Sequence, residues 1–410
     1  KIGVLKKKIK IIGEISIRLK KTTDKDKILR EAAEIFYDGE FIKNVDTNKT
    51  LMCFNNGVID FTSKIFRDGY PEDYITKSTR INYIPDLETS DNSIVKSIHE
   101  FMNKLFPVPD LNKYMWHHLA SCLIGTNKNQ TFHVYHGSGS NGKSIIADLM
   151  SATLGEYKGT VPITLVTEAR GKIGGTSDEV LKLKGVRYAV MQEPSKGVKL
   201  NEGVMKELTG GDTILARGLY SESESFDPQF NLIVCTNNLF DIESNDDGTW
   251  RRIRKCDFLS KFIDEGETHT DDTPYVYVKD KGLKEKLPTL APVFASMLVK
   301  IAFETNGIVD ICETVMNSSN KYRKGQDHIA AFIAEKIIKT NNPKDKIKKT
   351  ELTGEFKKWF EDSQGGSRNK MPKGEELCEI INKKFGQIKP TGWHGIKMIY
   401  QEEDDVIDDV

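Results

Sequence analysis

Apolar and polar positions alternate in different rhythms along the chain, and the rhythm changes several times. Within residues 1–50 the spacing is helical: Ile28, Leu29, Ala32, Ala33, Ile35 and Phe36 mark one amphipathic helix. A basic run at Lys6, Lys7, Lys8 and Lys10 accompanies it, read first as a solvated helix face and second as a nucleic-acid contact. From Leu51 the period shortens. Leu51–Phe54, Asn55-Asn-Gly57 and Val58–Phe61 read as strand, turn and strand, since Asn-Gly accommodates the backbone of a tight hairpin. Ile94–Phe106 and Leu111–Leu123 read as helices separated by Pro107 and Pro109. Between Thr131 and Phe262 strands dominate, divided by glycine-rich turns and a few helices, the signature of an α/β core. Pro288–Asn306 is predicted helical. Ile329–Ile338, Glu351–Phe360 and Gly374–Phe385 predict three more helices, and Gly392–Tyr400 a terminal strand, together a winged-helix-like arrangement.

Composition narrows the class. The chain has 410 residues, enough for two or three domains, with 38% hydrophobic and 29% charged residues. Its most apolar stretch, Leu290–Phe303, is broken by Lys300 and falls short of the roughly 18 apolar residues a membrane span needs. The early lysines are followed by Ile12–Leu19, which carries Glu14 and Arg18, so no signal-peptide pattern is read. The chain opens on Lys1, as a piece of a longer protein would. Six cysteines stand far apart with no CxxC pair, which points away from a zinc site or a disulfide framework and toward a reducing compartment. Lys plus Arg and Asp plus Glu are both 60, so any nucleic-acid surface must be local, as in a channel lining.

The strongest chemical signal follows the apolar strand Thr131–His136. Gly137-Ser138-Gly139-Ser140-Asn141-Gly142-Lys143-Ser144 comes next and leads into a helix to Leu154. Strand, P-loop and helix form the context in which backbone N–H groups and a helix N-terminus surround a β-phosphate. Lys143 is placed to meet the β- and γ-phosphates and Ser144 to ligate Mg²⁺, which makes ATP and Mg²⁺ the expected cofactors. Some 50 residues on, the strand Gly185–Met191 ends at Gln192-Glu193. A carboxylate there can polarise water or hold Mg²⁺ through water; an ordinary loop glutamate is the competing reading. Two adjacent acids are usual at this place, and Gln192 stands where one is expected. A third strand, Phe230–Thr236, ends at Asn237, which either orients the lytic water or caps a turn. Asp247-Gly-Thr-Trp-Arg251-Arg252-Ile-Arg254 then offers an arginine finger for a neighbouring subunit, or a surface salt-bridge cluster.

Between Glu193 and Asn237 lies Lys206-Glu-Leu-Thr209-Gly210-Gly211-Asp212, followed by Ala216-Arg217-Gly218-Leu-Tyr220. With this segment the chain resembles superfamily 3 helicases, and more closely the helicase part of the poxvirus-type primase–helicase of nucleocytoplasmic large DNA viruses. Phe54–Asp60 and Tyr70–Thr76 resemble the helper domain that precedes the helicase in that family. Ser319–Tyr322, Gln326–His328 and Gly392–Ile396 resemble its C-terminal DNA-binding segment.

The resemblance implies an AAA+ P-loop ATPase core of superfamily 3 type at 106–308, a mostly helical helper or collar domain at 1–105, a winged-helix-like domain at 309–400 and an acidic tail at 401–410. It implies a homo-hexameric ring moving 3′-to-5′ on single-stranded DNA at a fork. Its partners would be an upstream primase domain and other viral replication proteins, with no membrane, at a replication site in the host cytoplasm. Lys206, Arg217 and Tyr220 become candidate DNA contacts, the first two on phosphates and Tyr220 by stacking. Ser221, Glu222 and Glu224 beside Tyr220 oppose phosphate contact, and Arg217 retains a core salt bridge as its alternative. Lys346, Lys348, Lys349, Lys357, Lys358, Lys383 and Lys384 would grip duplex DNA or simply solvate helix faces, and the acidic tail could shield them. Two other classes remain open: an AAA+ DNA-packaging or remodelling motor, and a DNA-binding ring scaffold with weak ATPase activity.

Overall fold

The computed structural model describes residues 2–87, 92–169, 177–220, 222–267, 274–340, 342–363 and 371–400. The acidic tail and Ser221 lie outside the described residues. Two compact units emerge, residues 1–48 with 70–76, and the remainder. The smaller unit holds the helices Ile2–Arg18, Thr22–Ile35 and Phe41–Asn44. Asp46 ties its later segment to them, accepting from the backbone N–H of Thr76 at 2.9 Å, while Phe41 and Tyr74 pack with ring centroids 5.8 Å apart.

In the larger unit the centre is a five-stranded sheet: β1 (Phe132–His136), β2 (Lys158–Val161), β3 (Tyr188–Met191), β4 (Asn231–Thr236) and β5 (Ile253–Asp257). All neighbours are parallel, in the order β5-β1-β4-β3-β2. Side chains alternate across a strand, and here both sets are apolar because both faces are covered. Phe132, Val134, Ala189, Met191, Leu232 and Val234 face one hydrophobic core. Tyr135, Tyr188 and Ile233 face the other, with Met52, Phe54, Ile98, Leu105, Leu119 and Phe294.

That second core explains a departure from the expected boundary at residue 105/106. The hairpin Leu51–Phe54/Gly57–Asp60 and the helices Asn92–Leu105 and Pro109–Ser121 bury their apolar faces in the same cluster as the sheet, so the core is continuous across that point. Arg187, beside β3, reinforces the join: its buried guanidinium donates to the carbonyl oxygens of Lys49 at 2.5 Å and Leu51 at 3.1 Å. Gly125 makes room for it, since a Cβ there would lie 1.9 Å from an Arg187 nitrogen.

The long helix starts earlier than Pro288. It runs Leu283–Thr305 with Pro288 and Pro292 inside it. Each proline removes a backbone donor, yet Leu290, Ala291, Val293, Phe294, Leu298 and Val299 are buried, and tertiary burial outweighs the local penalty. By length and composition this helix is apolar enough to cross a membrane, but most of it is packed in the core.

Beyond it, the helix Glu313–Gln326 docks on β5. Asp327 then caps the next helix, accepting from Ala330 N at 2.9 Å. The terminal segment comprises the helices His328–Lys336, Lys349–Ser363 and Gly374–Phe385 with two short antiparallel pairs, Ile337–Lys339 with Ile396–Met398 and Lys346–Ile347 with Trp393–His394. Its own core holds Phe332, Leu352, Phe356, Phe360, Leu377 and Trp393. The expected strand 392–400 is thus two strands, broken at Gly395 with φ +78°.

Candidate nucleotide site and its surroundings

In an open parallel sheet the carboxyl ends of the strands face the ligand crevice. Three such ends meet here. β1 runs into Gly137, β3 into Gln192-Glu193, and β4 into Asn237. A cavity of about 860 Å³ opens above them, lined by Gly139–Ser144, Glu193, Cys235, Asn237 and, from distant sequence, Phe262 and Lys279–Lys281.

Contacts within the chain fix the shape of the loop. Asn141 accepts from Gly139 N at 2.6 Å and donates to the Ser260 carbonyl at 2.7 Å, pinning the loop from both sides. Phe262 N donates to the Ser140 carbonyl at 2.9 Å. Gly142, at φ +83°, must be glycine twice over, since a Cβ there would stand 2.4 Å from Leu105. Gly137 carries the carbonyl that Lys143 holds, and Ser138 is exposed at the loop's crest.

Lys143 donates to the Gly137 carbonyl and to Asn237 Oδ1, both at 2.8 Å. Burial lowers the pKa of its ammonium, with Glu193 among the groups that oppose the shift. Glu193 accepts from Asn237 N at 2.8 Å and from Asn238 Nδ2 at 3.0 Å. Lys143, Glu193 and Asn237 therefore form one hydrogen-bonded group, although they are 50 and 44 residues apart in sequence. Cys235 also lines the cavity, and burial pushes its thiol up to about 12, so it stays protonated.

Ser144 and Glu193 line the same cavity, and among the described residues no group of three or more His, Cys, Asp or Glu gathers to hold a metal. One hydroxyl with one carboxylate nearby fits Mg²⁺, which keeps most of its waters and takes further oxygens from substrate phosphates.

The arginines lie elsewhere. Phe132 N donates to the Arg252 carbonyl at 2.8 Å, which puts Arg251 and Arg252 at the amino edge of the sheet. The five residues of β1 separate that edge from the P-loop by about 16 Å. Arg251 is exposed and donates to Gln130 Oε1 at 3.0 Å; Arg252 is half-buried and donates to the Gly248 carbonyl at 2.6 Å. Arg254 donates to the Arg251 carbonyl at 2.8 Å.

At this edge too stands an antiparallel hairpin, Ile214–Arg217 paired with Ser223–Phe226. Ile214, Ala216 and Phe226 are buried while Leu215 and Arg217 are exposed, so one face anchors the hairpin. Arg217 N donates to Ser177 Oγ at 3.0 Å and Leu219 N to Asp178 Oδ1 at 3.0 Å. Tyr220 is 97% exposed at the tip, and Lys184 pairs with Glu224 at the hairpin's side. Lys206 is not on the hairpin. It sits on the preceding helix, Glu202–Gly210, with its ammonium 2.8 Å from Asp246. Burial works against the Asp246 carboxylate, but bonds from Lys206, Ser244 and Thr249 hold it well below its ordinary range. Lys206 therefore braces the turn that carries the arginines.

Sequence reasoning passed over Asn238, Phe262 and the lysines at 279–281. Asn238 was visible as the second amide after β4. The others reach the cavity only through the path of the chain after β5, which leaves no local motif.

Similarity to known proteins adds to this geometry. Residues 5–107 match the family described as D5 N terminal like, and residues 135–252 match a family of unknown function. A candidate helicase of Acanthamoeba polyphaga mimivirus is 35% identical over 377 residues, 90% of this chain and 39% of that protein. A candidate helicase of Invertebrate iridescent virus 3 is 29% identical, over 93% of this chain and 42% of its own length. A candidate primase of African swine fever virus is 25% identical, over 95% and 41%. The chain thus spans about two fifths of the length of these relatives. The solved C-terminal region of NrS-1 aligns with a TM-score of 0.43 and 14% identity over 75% of this chain and 65% of that one. Residues 5–107 thus carry a D5 N-terminal-like segment, and over nine tenths of its length the chain is similar to candidate helicases and primases of these large DNA viruses.

Proposed function

We propose that this chain is the ATP-driven helicase part of a viral primase–helicase, a superfamily 3 AAA+ motor that works as a hexameric ring and moves 3′-to-5′ on single-stranded DNA. The observation that carries this is the joint placement of Lys143, Glu193 and Asn237 at the carboxyl ends of neighbouring strands, around a preshaped glycine loop. The strand order β5-β1-β4-β3-β2 supports the AAA+ reading. Three helices with two short strand pairs support a winged helix at the C-terminus.

On this reading the triphosphate enters the cavity and takes the place of the Gly137 carbonyl on Lys143. Bound Mg²⁺, held by Ser144 and through water by Glu193, would supply charge neutralisation at the phosphates. Glu193 orients and deprotonates the attacking water, exchanging its contacts with Asn237 and Asn238 for that water. Asn237 stays within reach of the γ-phosphate. Arg251 and Arg252 stand too far away to serve their own cavity, so a second copy would have to supply them. The hairpin, with Arg217 below and Tyr220 at the tip, would meet the DNA strand; Lys206, paired with Asp246, would support rather than touch it.

The test is ATP turnover with and without single-stranded DNA, together with strand displacement on forked duplexes carrying either a 3′ or a 5′ tail. Turnover stimulated by DNA and unwinding from the 3′ tail are expected. Turnover without unwinding in the presence of the upstream segment would favour a packaging motor or a scaffold.

A further inference from the structure

β1 ends at His136, one residue before the phosphate loop. Its register partner on β5 is Asp257, and the His136 Nδ1 lies 3.0 Å from Asp257 Oδ1. Asp257 also meets Lys255 and the hydroxyl of Ser318. Lys255 in turn donates from its ammonium to Ser318 Oγ at 3.0 Å and from its backbone to Ser319 Oγ at 2.9 Å. Burial penalises the Asp257 carboxylate, yet the bonds from His136, Lys255 and Ser318 hold it at about 2, so it is a charged hub.

Ser318 and Ser319 belong to the helix Glu313–Gln326, which runs directly into the capped start of the C-terminal domain at Asp327. The same helix makes a second set of ties to the segment that follows β4. Tyr322 donates to the Phe240 carbonyl, and Gln326 Oε1 accepts from Ile242 N at 3.0 Å. Phe240 and Ile242 follow Asn237 and Asn238, the two amides that hold Glu193. Arg323 continues the series, donating to Asn245 Oδ1 at 2.7 Å and Asp247 Oδ1 at 2.9 Å, just before the arginine turn.

We propose that Asp257 is a positioning residue that couples the phosphate loop to the C-terminal domain, through Ser318 on the helix Glu313–Gln326. The inference rests on the nucleotide reading of the 137–144 loop. Filling the loop moves the end of β1. His136 passes that shift to Asp257, and a carboxylate fixed by three donors in a half-buried setting cannot follow without drawing Lys255 and Ser318 along. The helix thus takes up the state of the nucleotide from both the β1 and the β4 side. A purely apolar contact at this seam would slip; charge-assisted bonds hold register.

The experiment is hydrogen exchange of the full 410-residue chain with and without a slowly hydrolysed ATP analogue and Mg²⁺. In the native chain the analogue should slow exchange in the 137–146 segment and also at amides 316–320, the latter by about tenfold, the effect of tightening a charge-assisted bond. Ser318→Ala should keep protection at 137–146 but reduce the response at 316–320 to less than about twofold. Ser318→Thr, which keeps the hydroxyl, should restore it, and this comparison stands even if Asp257→Ala fails to fold. Protection at 137–146 with no response at 316–320 in the native chain, or an unchanged response in Ser318→Ala, overturns the coupling alone. No protection at 137–146 removes the nucleotide reading and the coupling with it.

Discussion

The two edges of the central sheet are built on opposite plans. At the carboxyl edge the chain closes on itself. Asn141 pins the glycine loop, Lys143 reaches Asn237, and Asn237 and Asn238 hold Glu193. At the amino edge the side chains point outward. Arg251 is exposed, Leu215 and Leu219 are more than half exposed, and Tyr220 is almost fully so. On the proposed reading, one edge suits a small anionic ligand and the other larger partners. The first then lacks only the arginines of a neighbouring copy, and the second would supply such arginines and meet a nucleic-acid strand.

That contrast can be broken in several places. The largest effect should come from Lys143→Ala. ATP turnover should fall by about a thousandfold or more, while the circular dichroism spectrum and thermal midpoint stay near those of the parent. Retained turnover would dissolve the assignment of the carboxyl edge. Arg251→Ala with Arg252→Ala should come next, with turnover down by roughly a hundred- to a thousandfold but the affinity for a fluorescent nucleotide nearly unchanged, because neither residue touches its own cavity. A parallel loss of nucleotide affinity would mean that the arginines act within their own chain. Glu193→Gln should cost about a hundredfold in turnover and leave nucleotide binding intact, as measured by equilibrium binding.

Smaller effects sharpen the amino edge. Tyr220→Ala should weaken single-stranded DNA binding by about tenfold, with Tyr220→Phe close to the parent, since a ring stacked on a base contributes on the order of 1–3 kcal/mol. Fluorescence anisotropy at two salt concentrations separates this from a phosphate contact, whose removal would flatten the salt slope. The smallest change is expected for Lys206→Met. Its pair with Asp246 is partly exposed and contributes at most about 1 kcal/mol, so a chemical-denaturation midpoint should shift only slightly.

Acid adds one further check. The Asp257 carboxylate titrates at about 2 in the folded chain against an ordinary 3.8, so its contribution is present above about pH 4 and disappears as the pH falls toward 2. Asp257→Asn should flatten the acid-unfolding curve in that window.

The sequence made these two edges legible to different depths. The carboxyl edge is announced by local motifs, because a phosphate loop needs its glycines, its lysine and its helix in consecutive positions. Strand ends also carry their polar residues visibly, as at Glu193 and Asn237. What stayed hidden arrives from afar. Phe262 and Lys279–Lys281 reach the cavity through a loop whose course depends on packing, and no periodicity reveals it. Lys206 was readable as a cation but not as the partner of Asp246, 40 residues away. The early start of the helix Leu283–Thr305 was obscured by two prolines, which local rules treat as boundaries and a buried apolar face overrides. The domain division at residue 105 followed a loop in the sequence, whereas the apolar core runs through it.

In the proposed mechanism the amino edge of one copy completes the carboxyl edge of another. Mixing Lys143→Ala subunits with subunits carrying both Arg251→Ala and Arg252→Ala, at varied ratios, measures this directly through ATP turnover. If the arginines act in trans, each silent variant supplies what the other lacks, and turnover should rise to a maximum near equal proportions. A mixture that stays as inactive as its two components at every ratio would contradict the account.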